Sequence, residues 1–319
     1  MIVLDEDDAR RLVRLSDAMQ AVRDVFVSMA QGTSRNFPVV REKLPEIGGT
    51  FGVKSGLYFS KGMVGLKAGG YWPGNTLRGI KNHQSTTLLC DAESGRPVGL
   101  VAANYLTALR TAAAAALATD ALARRTVETL GVIGAGAQAL PQIEAQAAVR
   151  PFRRVLVASR NHAHAQEVAA AVRGLVSHAE AADFRTATEE ADVLLTLTPA
   201  ADPVVQSSWV RAGTHVNAMG ADTAGKGEIE PQLLVRARVY FDEWEQAKSI
   251  GECQRAVAMG LLSRESTIGP LGDVLSGAAT GRQSDEDVTV FDSTGVALQD
   301  IAIAALALDR ARSERPAAG

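Results

Sequence analysis

Between Ser16 and Gly32 apolar residues recur three and four positions apart, which predicts an amphipathic helix with Ser16 placed to cap its start. The pattern then shortens. FGVKSGLYF (51–59), GMVGLKAGG (62–70), QSTTLLCD (84–91) and PVGLVAA (97–103) are brief apolar runs punctuated by glycine, the last two joined by the turn Asp91-Ala92-Glu93-Ser94-Gly95. Short runs with turn signals between them predict an antiparallel sheet. From Leu106 to Ala123 the chain is alanine-rich and reads as a helix leading into a second domain. After Thr126 strands and helices alternate: the strand VETLGVI (127–133), a helix over 138–149 with Pro141 in its first turn, the strand RRVLVAS (153–159), a helix over 162–172, and the β-rich runs ADVLLTLT, THVNAMG and RVYFDE. Such alternation predicts an α/β domain, a parallel sheet with helices on both faces. The closing FDSTGVALQDIAIAALALDRAR reads as a turn and then an amphipathic helix of the same composition as the alanine-rich connector. It is therefore expected to return to the first domain.

One turn in this pattern carries chemistry. The strand Thr129–Ile133 runs straight into Gly134-Ala135-Gly136-Ala137-Gln138-Ala139 and a helix follows, which is GxGxxA in a strand–turn–helix setting. Gly134 permits the tight turn, Gly136 lets backbone approach a pyrophosphate, and Ala139 allows close helix–strand packing. The expectation is a Rossmann domain with a bound dinucleotide. An acidic residue after the second strand would bind the ribose hydroxyls of NAD, but Ser159-Arg160-Asn161 stands there. Arg160 could meet the 2′-phosphate of NADP, stack on adenine, or be a solvated surface arginine. NAD and NADP both stay open.

Six polar residues outside that loop call for an explanation. Lys67 sits inside an apolar, glycine-rich strand, where the plain alternative is a surface-facing position. Arg110 and Thr111 open a helix of almost pure alanine, and an arginine there can reach a pyrophosphate or carboxylate with its planar fork. Arg41, in NFPVVRE, is a third cation. Asp222, in NAMGADTAGKGE, follows a strand of the α/β domain, where ligands gather; it is a candidate acid or base, or else a turn cap. His83, in KNHQST, is a possible proton donor or a structural histidine. Three cations and a carboxylate beside a hydride carrier suggest an anionic substrate that passes through an iminium.

Composition narrows the partners. With 319 residues the chain is long enough for two domains, and a net charge of -3 with scattered Lys and Arg argues against nucleic acid or an anionic membrane. The opening MIVLDEDDARRLV is no signal peptide, and the apolar run 111–123 contains Asp120 and is too short to span a bilayer. Cys90 and Cys253 lie far apart without metal-like spacing, so free thiols in a reducing cytoplasm, and no metal, are expected.

The chain resembles the ornithine cyclodeaminase/mu-crystallin family over essentially its whole length, through GLKAGGYWPGN, LTALRTAA, GVIGAGAQA, the TLT at Thr196, GADTAGKGE and the closing FDSTGVALQD. The resemblance implies a homodimer and a two-domain fold. A substrate-binding and dimerisation domain of α+β type would come from both chain ends, residues 1–112 and 293–319. A Rossmann domain over 113–292 would lie between them in the chain. It further implies that Arg41, Lys67 and Arg110 bind substrate carboxylates and that Asp222 is the catalytic carboxylate. Ala137 and Gln138 would contact the pyrophosphate, Ser159 the adenosine ribose, and Thr198, Met219 and Ser293 the cofactor.

The stretches NFPVVRE, LKAGGYWP, NHQST and SIGECQ point, within that family, to reduction of iminosuccinate to L-aspartate with NADH. Lys67 and Arg110 would then orient the α-carboxylate, with Arg41 or His83 on the distal one. Alternatives are a cyclic ketimine reductase acting on pyrroline- or piperideine-2-carboxylate, an alanine dehydrogenase, and an ornithine cyclodeaminase. A cyclodeaminase needs an acid for the distal amine, and Glu46 is the local candidate. Outside enzymes, a mu-crystallin-like cofactor-dependent binding protein is the competing reading.

Overall fold

The structure, a computed structural model, describes residues 1–314. It divides into two compact units, one made of residues 1–110 and the chain from 296 on, the other of residues 111–295.

The first unit begins with β1 (Ile2–Leu4) and α1 (Glu6–Leu12). Asp5 caps α1 by accepting the amides of Asp7 and Asp8, while Asp8 accepts the amide of Asp5. α2 spans Leu15–Ala30 and starts earlier than the pattern predicts. Arg14 is its cap residue, with its amide bonded to Asp17 at 3.0 Å, so Ser16 lies inside the first turn and does not cap. Then come β2 (Ser34–Asn36), β3 (Val40–Leu44), β4 (Gly49–Tyr58), β5 (Met63–Tyr71), β6 (His83–Asp91) and β7 (Pro97–Ala102). Their sheet runs β1-β7-β6-β5-β4-β2, with β3 also on β4. Pairing among β2 to β7 is antiparallel, as the short runs predict, whereas β1 lies parallel to β7. Asp91 shapes the β6–β7 turn by accepting the Ser94 amide and hydroxyl at 2.8 and 2.6 Å. α3 (Asn104–Leu122) follows, and the division between the units falls within it.

The second unit contains β8 (Thr129–Ile133), α4 (Ala139–Val149), β9 (Arg154–Ala158), α5 (His162–Ala171), β10 (His178–Ala182), α6 (Phe184–Glu189), β11 (Val193–Thr196) and β12 (His215–Ala218). It continues with α7 (Pro231–Arg236), β13 (Arg238–Phe241), α8 (Trp244–Ile250), α9 (Gln254–Ala258), β14 (Gly269–Pro270), α10 (Leu271–Leu275) and β15 (Thr289–Asp292). All eight strands are parallel, in the order β10-β9-β8-β11-β12-β15-β13-β14. Strand alternation feeds two cores: Leu130 and Val132 join Ile143, Val155 and Val168 in one, while Ile133 joins Leu156, Leu194, Val216 and Val290 in the other. Chain order reverses between β8 and β11, which makes the crevice at their carboxyl ends the place where a doubly wound sheet binds its ligand.

Two expectations for the chain's last part need correction. FDS does not begin a turn: Phe291 and Asp292 belong to β15, held between β12 and β13. The final helix, α11 (Ala297–Glu314), is buried on all sides from Ala297 to Ala305 and becomes amphipathic only beyond that. It packs on β4, β5 and β6 of the first unit. Gly65 lets it approach, since a Cβ there would stand 2.9 Å from Leu89 and 3.2 Å from Ile301.

Candidate active site

In the first unit the strand register gathers cations on one sheet face. Lys54 of β4 pairs with Lys67 of β5, and Lys67 with Thr87 of β6, so the three side chains share a face. Arg41 pairs with Gly52, two residues before Lys54, and His83 with Tyr71, four residues after Lys67, which puts both on that face as well. α3 contributes Thr107 and Arg110, one helical turn apart, and α11 contributes Gln299 and Asp300. Asp300 accepts from Lys67 Nζ at 3.0 Å and from Arg110 Nε at 3.1 Å; Lys67 also reaches Thr107 at 3.4 Å, and Arg110 donates to Gln299 Oε1 at 3.1 Å.

Lys67 is therefore not a surface lysine: it is 8% exposed. Burial pushes its ammonium down to about 8, with Asp300 opposing and Arg110 adding to the shift. Burial works against the charge on Asp300 too, but Arg110 and Lys67 outweigh it and hold the carboxyl below its usual range. Burial, then Lys67 and Arg110, depress His83 to about 4. That downward shift favours the neutral imidazole, which can still offer an N–H. Arg41 is half-buried, and Glu46 is exposed in a short turn.

Two members of this cluster escape sequence reasoning, Lys54 and Asp300. A carboxylate set within QDIAIAALAL was the available signal, because a buried charge demands a partner. Among the described residues, the buried charged groups of the first unit are Lys54, Lys67, Arg110 and Asp300, three cations to one carboxylate. Gln299 Nε2 is also buried there with nothing to donate to. Such a cluster is built to receive anionic oxygens.

In the second unit the glycine loop follows β8. Gly134 has φ +118, and a Cβ there would lie 3.1 Å from the Leu197 backbone, so only glycine fits. A Cβ at Gly136 would meet nothing within 4 Å; Gly136 and Ala137 are exposed, and Gln138 Oε1 is buried without a partner. The Ala139 amide, which opens α4, bonds the Gly136 carbonyl at 2.9 Å, and the loop's open side is the exposed backbone of Gly136 and Ala137. Such a cradle of bare, exposed backbone at a helix start fits a pyrophosphate.

After β9, the Ser159 hydroxyl accepts the Asn161 amide at 3.3 Å, and Asn161 caps α5 through Ala163 and His164 at 3.1 and 3.4 Å. Arg160 is exposed, and its side chain bonds to no described residue. Thr198 follows β11, and Met219 and Asp222 follow β12, all partly buried at the carboxyl ends of their strands. Asp222 accepts from Lys226 Nζ at 2.6 Å and Thr223 Oγ1 at 3.1 Å, an ion pair the pattern does not reveal. Thr111 is half-buried in α3. Ser293 is buried, its hydroxyl donating to Asp242 at 3.1 Å and its amide to Ala218 at 3.0 Å.

A groove lined by Arg124, Arg125, Arg150 and Arg282 lies at the opposite, amino-terminal ends of the strands and holds none of these residues. Among the described residues no group of His, Cys, Asp or Glu is arranged for a metal ion, and no helix is long and apolar enough to cross a membrane.

Comparison with known proteins places these two clusters in context. The ornithine cyclodeaminase/mu-crystallin family profile matches residues 1–315. Iminosuccinate reductase of Paracoccus denitrificans is 42% identical over 312 residues, covering 98% of this chain and 97% of its own. Its crystal structure in complex with NAD+ superposes with a TM-score of 0.92 at 41% identity, again covering 98% and 97%. An archaeal alanine dehydrogenase dimer with bound NAD gives a TM-score of 0.93 at 34% identity over 98% of this chain and 97% of that one. Thermococcus litoralis Δ1-pyrroline-2-carboxylate reductase, in complex with NADH and L-proline, gives 0.93 at 26% identity over 98% of both chains.

Proposed function

The chain belongs to the ornithine cyclodeaminase/mu-crystallin family and is an NAD(P)-dependent oxidoreductase of it, and from that premise we propose that it reduces iminosuccinate to L-aspartate. The observation that carries this reading is the gathering of cations in the first unit, where Lys54 and Lys67 share a sheet face with Arg41, and Arg110 meets Lys67 through Asp300. A dicarboxylate brings two negative charges to such a group, a monocarboxylate one.

In this mechanism Lys67 and Arg110 hold the α-carboxylate from the side opposite their bonds to Asp300, and Gln299 Nε2 gains an acceptor. Arg41, with the neutral His83 as an N–H donor, takes the distal carboxylate. Gly134, Gly136, Ala137 and Gln138 would hold the cofactor pyrophosphate, Ser159 and Arg160 the adenosine, and Thr198 and Met219 would make further cofactor contacts. When bound, the reduced nicotinamide supplies a hydride equivalent to the imine carbon. Asp222 stabilises the protonated imine nitrogen, so that positive charge on nitrogen is offset as the carbon is reduced. NADH is the proposed donor: relatives of known structure carry NAD or NADH, and no residue after β9 excludes it.

A homodimer belongs to the same reading. Val40, Ile47, Phe51, Tyr71, Leu77 and Ile80, all from one stretch of the first unit, are exposed apolar side chains of the kind a partner covers.

The test follows NADH and NADPH oxidation by the purified protein with ammonia plus oxaloacetate, pyruvate or glyoxylate, and with pyrroline- and piperideine-2-carboxylate. Oxaloacetate with ammonia and NADH should give the highest kcat/KM. A higher value with pyruvate or with either cyclic imine would overturn the dicarboxylate assignment.

A further inference from the structure

Four buried carboxylates in the second unit take no part in the mechanism above. They are Asp242 after β13, Asp292 at the end of β15, Glu252 between α8 and α9, and Glu228 before α7, each at most 2% exposed. They form a sequence of stitches. Asp242 accepts the Gly295 amide at 2.6 Å and the Ser293 and Thr294 hydroxyls at 3.1 and 3.0 Å, fixing the chain just past Asp292. Asp292 accepts the amides of Glu252 and Cys253 at 3.0 and 2.9 Å. Glu252 Oε1 accepts those of Glu228 and Ile229 at 2.9 and 2.7 Å. Glu228 ends the row, with Oε1 on the Thr198 amide at 2.6 Å and Oε2 on the Gly220 amide at 2.9 Å. Every carboxylate thus fastens backbone at or beside the next one, and the last fastens the two loops that leave β11 and β12.

We propose that Glu228 is a positioning residue: it sets the Thr198 and Gly220 loops, and with them Met219 and Asp222, a role that rests on those loops serving the cofactor and the substrate nitrogen. Asp242, Asp292 and Glu252 keep Glu228 itself in register. Two glycines fit this role. A Cβ at Gly220 would collide with the Thr198 carbonyl as well as the Glu228 carboxylate, and one at Gly251 would stand 2.7 Å from both Ala247 Cα and Asp292 Oδ2. Bare backbone at both positions leaves room for the neighbouring backbone and the carboxylate alike.

The row also responds to pH. Burial pushes Glu228 up to about 7, Asp292 to about 7 and Glu252 to about 8, with Glu228 and Asp292 raising Glu252 further and Asp242 raising Asp292. Charged groups on the outer side are Arg255, packed against Gly227, and the Lys226–Asp222 pair. Glu228 accepts amides through both oxygens, which favours its ionised form, while Glu252 takes its two shorter bonds on Oε1 and a longer one, from the Glu228 amide at 3.1 Å, on Oε2. Below about pH 7 the clamp on Thr198 and Gly220 therefore loosens.

The test is NADH binding by fluorescence titration between pH 6 and 8.5, with kcat followed on the substrate that serves the wild type best. In the wild type, affinity should rise with pH through about 7. Glu228→Gln, whose amide nitrogen must face one of the two donors, should weaken binding about tenfold and flatten that dependence, the loss of one charge-assisted bond. Glu228→Asp, which keeps the charge but is too short to reach both amides, should also weaken binding, and it stands in if Glu228→Gln does not fold. Glu252→Gln keeps the Oε1 acceptor and should retain most of the wild-type affinity at pH 7, whereas Glu252→Ala should not. The proposal is overturned if folded Glu228→Gln or Glu228→Asp keeps wild-type affinity, or if Glu252→Gln loses as much as Glu252→Ala. A wild type that binds no nicotinamide cofactor would instead overturn the functional reading itself.

Discussion

Replacing Asp300 by asparagine would isolate the charge at the centre of the first unit. The side chain keeps its shape but loses the charge that Lys67 and Arg110 meet at 3.0 and 3.1 Å. Removing one partner of a buried ion pair typically costs about 3–5 kcal/mol, because the cations left behind are uncompensated. At roughly 2–4 °C per kcal/mol, that is a fall in Tm of about 10 °C, readable by calorimetry. The pH dependence gives a second handle. Lys67 is lowered from 10.5 to about 8, so between pH 8 and 10.5 the unfolded chain binds the extra proton and stability rises with pH, by about 3 kcal/mol in all. Substrate binding runs the other way: it needs the ammonium and weakens as pH rises through 8. Without Asp300, whose charge raises Lys67, the rise in KM should begin at lower pH. An unchanged Tm together with a KM rise still centred near pH 8 would refute the idea that Asp300 holds these cations in place.

Three further outcomes are expected. Gly136→Val should abolish dinucleotide binding with little change in Tm, since its side chain would point into space that no protein atom fills; unchanged nicotinamide affinity in a titration would rule out the cradle. Arg160→Ala should weaken NADPH more than NADH if the exposed guanidinium meets a 2′-phosphate, and equal effects on both would leave it a surface or adenine-stacking residue. Asp222→Asn should lower kcat by at least about two orders of magnitude while NADH still binds, and Lys67→Ala should act mainly on KM; a near-wild-type kcat for Asp222→Asn would reduce Asp222 to the ion pair with Lys226.

Five strands of the parallel sheet, β8, β9, β11, β12 and β13, are legible in the sequence as β-rich runs between helix or turn signals, whereas β10 (HAEAA) and the two-residue β14 carry no such run. β15 is harder to see: its four residues are followed at once by Ser293-Thr294-Gly295, so local pattern favours a turn, and only its neighbours β12 and β13 make it a strand. The same limit governs the site. Lys67 is conspicuous by its apolar surroundings, but its partner Asp300 lies 233 residues away, and no local spacing encodes that pair. Lys54 becomes visible only through its register with Lys67. The resemblance gives Ser293 as a cofactor contact, and only the fold shows that its hydroxyl also donates to Asp242. Glu228 and Glu252 stand in the quoted motifs GADTAGKGE and SIGECQ, where only burial reveals that they bind backbone.

The place of β15 has a consequence for synthesis. This strand sits inside the parallel sheet, yet among the described residues it is the last strand to be made, and α11, which covers β4, β5 and β6, comes later still. A polypeptide that has not reached β15 therefore has both units unfinished: one sheet lacks an interior member, and the other lacks the helix that seals it. The second unit can close once β15 is made, while the first, begun earlier, waits for α11. Nascent chains stopped short of Asp292 should be held by chaperones or degraded, and pulse-chase proteolysis should show the second unit gaining resistance before the first.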